Sequence, residues 1–90
     1  MDTVNNRDLE FYERTIGNVD VEFASNGDPG ELKFLFIPDG AHLFKLKRLY
    51  LLDEVNSLIE QYRNELEEIT TEAEMIAFLE KYNMSFIRKF

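Results

Sequence analysis

The chain predicts an α+β fold: a three-stranded antiparallel meander packed on two C-terminal helices, completed by an N-terminal helix or a fourth strand. Three observations carry that expectation. Apolar and polar residues alternate between positions 19 and 47, the period of a half-buried strand. Two segments rich in turn formers, Asn26-Gly27-Asp28-Pro29-Gly30 and Pro38-Asp39-Gly40, interrupt the alternation. From Leu52 the apolar spacing changes to alternating steps of three and four, which belongs to a helix.

Taken in order, the N-terminal segment admits two readings. Leu9, Tyr12 and Ile16 fit one face of a helix ended by Gly17, whereas Gly17-Asn18 as a two-residue hairpin turn sets Ile16 opposite Val19 and Tyr12 opposite Phe23. The helix is preferred, because a strand would also turn Arg14 inward. Strands are expected near 19–25, 31–37 and 41–47. The first turns Val19, Val21 and Phe23 to the core and Asp20 and Glu22 to solvent. A three-residue turn at 38–40 places Ile37 opposite Ala41, and so pairs Phe36 with His42, Phe34 with Phe44 and Leu32 with Leu46. The other face then carries Lys33, Leu35 and Ile37 against Ala41, Leu43 and Lys45.

The helical stripe runs through Leu52, Val55, Ile59, Tyr62, Leu66 and Ile69, widened by Leu58, with Asp53 the expected N-cap. Residues 48–52 could extend either the third strand or this helix. A second helix opens at Thr71, which has capping-box spacing to Glu74, and stops at Asn83, a residue that tolerates left-handed backbone. Residues 84–90 alternate as a short strand or a packed tail. Residues 1–90 form a single domain, small enough to bury only about 60 to 65% of its unfolded surface.

Charge is the most informative property. Residues 53–80 hold nine carboxylates against the single base Arg63, so all of the net charge of −8 lies there and the other residues balance at nine of each sign. Such a balance disfavours direct binding to nucleic acid or anionic lipid. The cluster Lys45, Lys47 and Arg48 is too small to reverse it and suits a solvated strand edge. With no cysteine, a polar N-terminus and no apolar run of about 20 residues, a cytoplasmic, non-membrane protein is expected.

The sequence offers little chemistry. His42 is the only histidine and falls opposite Phe36, which favours a structural role. Gly27 and Gly30 lie between two strands, so they do not make a phosphate loop, and Asp28-Pro29-Gly30-Glu31 lacks the alternating acids of a calcium loop. No catalytic residue, metal site or cofactor is expected. The aromatic residues mostly occupy core positions, except Tyr50, Phe86 and Phe90, which could serve an interface.

The leading expectation is a non-enzymatic inhibitor or regulator that docks an acidic helical surface on a basic protein site. Asp53, Glu60, Glu67, Glu68, Glu72 and Glu74 are the expected contacts. Phage-encoded anti-CRISPR proteins and bacteriocin immunity proteins are small acidic inhibitors of nucleases, and this chain resembles them in size, charge and approximate architecture. The likeness implies a carboxylate array occupying a site meant for phosphates, on a nucleic-acid-processing enzyme. A second candidate surface is the outer sheet face at Leu35, Ile37 and Leu43, which two helices on the other side cannot cover. An accessory subunit that self-associates there, as a homodimer, is the alternative reading.

Overall fold

The computed structural model describes residues 9–26, 29–38 and 42–89. Its five strands are β1 (Leu9–Ile16), β2 (Val19–Asn26), β3 (Gly30–Phe36), β4 (His42–Tyr50) and β5 (Phe86–Lys89), and its helices are α1 (Leu52–Glu68) and α2 (Glu72–Lys81). The strands form one antiparallel sheet in the order β1-β2-β3-β4-β5, with both helices inserted between β4 and β5 in the chain. The α+β class agrees with the sequence, but among the described residues the sheet has five strands where three or four were expected.

The N-terminal helix is a strand. Gly17 adopts a φ of 60°, which the first position of a two-residue hairpin turn requires, and Ile16 pairs with Val19 and Tyr12 with Phe23. Arg14 does lie on the inward face, but β1 is an edge strand. Its side chain remains 36% exposed and its guanidinium reaches Glu60 of α1 at 3.8 Å, so the objection to a strand disappears. The turn docks on the end of α1, where Asn18 Nδ2 donates to the carbonyl of Ile69 at 3.1 Å.

Phe36 pairs with His42 and Phe34 with Phe44, as the turn spacing predicts, while the Ile37–Ala41 pair and residues 39–40 fall outside the described residues. Between Glu31 and Lys33 the register shifts: Glu31 meets Leu49 but Lys33 meets Lys45, so β4 bulges over Lys47 and Arg48. The expected Leu32–Leu46 pair falls in that irregularity. The strand continues to Tyr50, and Leu51 is the N-cap of α1, which displaces Asp53 from that role into the first turn. Leucine has no side-chain acceptor, and Glu54 instead accepts from Leu51 N at 2.9 Å. At α2 the expected box is complete: Thr71 Oγ1 accepts from Glu74 N at 3.1 Å, and Glu74 Oε1 accepts from Thr71 N at 3.3 Å. The chain leaves α2 through Asn83 at a φ of 58° and returns as the edge strand β5.

The core lies between the sheet and the helices. Val19, Val21, Phe23, Leu32, Phe34, Phe36, Phe44 and Leu46 from the sheet meet Val55, Ile59 and Leu66 of α1 and Met75, Phe78 and Leu79 of α2, all buried. Phe78 bridges the layers, with its ring edge-on to Phe34 at 6.4 Å, Tyr62 at 5.6 Å and Tyr82 at 5.3 Å. Tyr50 is buried, and Phe86 packs edge-on against Phe44 at 5.5 Å, so both serve the core; Phe90 is outside the described residues.

Candidate functional site

Because α1 and α2 bury their apolar stripes in the sheet, their acids are left on the solvent side, and the structure assigns them different tasks. Glu60 and Glu67 sit at long distances from single arginines, 3.8 Å from Arg14 and 3.7 Å from Arg63, and remain largely exposed. Such exposed pairs contribute little to stability. Asp53 and Glu68 are exposed and form no ion pair among the described residues.

Glu72 and Glu74 are committed elsewhere. Glu72 holds Arg88 of β5 and lies 3.4 Å from His42 Nδ1, so it ties the start of α2 to two strands. Glu74 accepts from Thr70 N at 2.7 Å, Thr70 Oγ1 at 2.9 Å and Thr71 N, and these bonds, led by Thr70 N, hold its carboxyl below the ordinary range. A capping role and a contact role therefore compete for one side chain, which the capping-box spacing already announced.

Glu65, which is not among the expected contacts, organises the helix pair. Its carboxylate accepts from Tyr82 Oη and lies 3.4 Å from Lys81 Nζ. The tyrosine hydroxyl is the larger cause of its lowered pKa, and the same bond raises that of Tyr82. These partners are 16 and 17 positions away, so no spacing rule within one helix could have found them.

Together these residues frame a groove of about 260 Å³ between the end of α1 and the length of α2. Glu65, Glu68 and Glu74 supply its acidic rim, Ile69, Ala77 and Phe78 its apolar surface, and Lys81 its one cation. Other grooves lie at Lys47, Asn83 and Ser85, and at Arg48, Tyr50, Tyr62 and Tyr82. His42 lines none of these three. Arg48 is held by Glu54 at 2.7 Å and stacks 4.1 Å from the Tyr50 ring centre, which accounts for part of the basic cluster as local structure.

Among the described residues the other face of the sheet bears no helix. Strand pairing places its side chains in rows: Phe11, Ala24, Glu31 and Leu49 in one; Glu13, Glu22, Lys33, Lys45 and Ile87 in the next; Thr15, Asp20, Leu35, Leu43 and Lys89 in the third. Leu35 and Leu43 pair directly and are half-buried, while Ile37 is exposed. The middle row is polarised, with Glu13 and Glu22 on β1 and β2 and Lys33 and Lys45 on β3 and β4, whereas the first row carries a single charge, Glu31 of β3. Glu13, Asp20 and Glu22 come within 4.8 Å of one another, and a shared hydrogen bond with Asp20, reinforced by its charge, raises the pKa of Glu13.

Among the described residues no helix is long and apolar enough to cross a membrane. Comparisons with protein-family models, with curated proteins and with solved structures found no match.

Proposed function

We propose that this chain is a non-enzymatic binding protein, an inhibitor or regulator acting in the cytoplasm, whose acidic helical layer docks on a basic site of another protein. The groove between α1 and α2 supports the reading best. An acidic rim around Ile69, Ala77 and Phe78 matches a long basic side chain, whose aliphatic stem lies on apolar surface while its charged head meets carboxylates. A surface built to receive lysine or arginine fits proteins that otherwise hold phosphates, including nucleic-acid-processing enzymes.

Glu68 is the residue to test, with Asp53 as its companion, since neither forms an ion pair among the described residues. Titration of the labelled chain with a short arginine-containing peptide should move the amide resonances of Glu68, Ile69 and Phe78 in a saturable way. Glu68→Lys should abolish those shifts while leaving the circular dichroism spectrum unchanged. Against a full partner protein, the Asp53→Lys/Glu68→Lys variant should lose about tenfold or more in affinity, mostly through slower association, and the salt dependence should flatten. Shifts that scatter over the whole surface, or an unchanged response in the variant, would reject the groove as the site.

A further inference from the structure

We infer that the outer sheet face is a two-fold interface between two copies of this chain, with the axis running along the strands between β2 and β3. The inference rests on the charge rows of that face and not on the acidic groove, so each can fail without the other. A two-fold axis parallel to the strands keeps every row over the same row and exchanges β2 with β3 and β1 with β4. In the middle row, Glu22 of one copy then faces Lys33 of the other, and Glu13 faces Lys45. In the first row, Phe11 at 63% exposure meets Leu49 at 49%, two of the most exposed apolar side chains in the molecule. An axis perpendicular to the strands would instead stack acids on acids.

Of these charges the central pair is the more available, since Glu13 already shares a hydrogen bond with Asp20. Lys33 and Glu22 stand opposite each other across β2 and β3 but form no ion pair among the described residues. Lys45 shares Glu31 at 3.2 Å and retains two further hydrogens. In the third row the same exchange sets half-buried Leu35 against Asp20 of the other copy and Leu43 against Thr15, so this row contributes less than the other two.

Overlap of four strands about 4.8 Å apart and about seven residues long covers roughly 440 Å² of plane per copy, before the relief of the side chains is added. The pair then approaches the lower bound of about 1,000 Å² for a specific interface, which sets an expectation of micromolar dissociation. Sedimentation at about 300 µM and low salt should give twice the 10.7 kDa chain mass, falling toward monomer as salt rises.

Charge reversal supplies the decisive readout. Glu22→Lys and Lys33→Glu, each alone, should raise the dissociation constant about tenfold or more, because each sets like charges against one another. Mixed together, the two variants should form a heterodimer, since one contributes two lysines and the other two glutamates at the axis. Phe11→Asp, at a position too exposed to threaten the fold, should also dissociate the pair. A wild type that stays monomeric at that concentration, as it would if another protein or the first eight residues covered the face, overturns the inference. So does a dimer that ignores Lys33→Glu, or a mixture that fails to associate.

Discussion

Gly30 is the residue on which close packing of the sheet is most exposed to test. A Cβ there would lie 2.5 Å from the Ala24 carbonyl oxygen and 2.6 Å from Ser25 Cβ, both on the neighbouring strand, so no flexible side chain can move aside. Gly30→Ala should cost about 1–3 kcal/mol, read as a lower urea midpoint at constant m-value. Gly17 differs in cause. Its positive φ penalises any side chain, and a Cβ would crowd the Glu67 carbonyl oxygen at 3.2 Å, so Gly17→Ala should cost about 1–2 kcal/mol in the same assay. Both constraints include a tertiary contact, with β2 at Gly30 and with α1 at Gly17, but Gly17 adds a local backbone cause. The sequence could mark Gly17 as a turn residue, but it held no sign that residue 30 lies against β2.

At the scale of the element, local rules decided what they could reach. The capping box of α2 was legible because its two members are three residues apart, and Thr71→Ala should lower stability by about 1 kcal/mol in thermal or urea melts. Glu74→Gln should cost less than Thr71→Ala at pH 7, since the amide oxygen can still accept from Thr70 and Thr71 but without the carboxylate's charge. Register was legible too, through the turn that sets Phe34 opposite Phe44. The β1 error came from treating an inward arginine as buried, when an edge strand lets it escape to Glu60. The β4 bulge, the Glu65–Tyr82 link and the Glu72–Arg88 tie are pairings over long sequence distances. Neither periodicity nor spacing encodes them, and the last engages Glu72 inside the fold, whereas Glu74 is engaged by its local cap.

For the whole molecule, acid should weaken the fold. Glu54, Glu65 and Glu74 titrate below the ordinary glutamate value of 4.5 because they accept hydrogen bonds, chiefly from Leu51 N, Tyr82 Oη and Thr70 N. Their stabilising contribution is present above that value and is lost as pH falls through their lowered values. Glu13, raised by its bond to Asp20, works oppositely, favouring the folded state at low pH and losing that advantage as pH rises through its own value. Three groups oppose one, so the melting temperature should fall below about pH 4.5, and the Glu65→Gln/Glu74→Gln variant should show a smaller fall. Glu13, Glu54 and Glu74 are exposed and Glu65 is half-buried, so the effect should shrink in high salt. The strictly sequential strand order has a consequence for synthesis. Four strands can emerge and pair in turn, each beside its predecessor, yet their inner face stays bare until α1 and α2 follow. The four-residue β5 follows both helices and pairs on one side only, so its amides should exchange with deuterium ahead of those in β2 and β3.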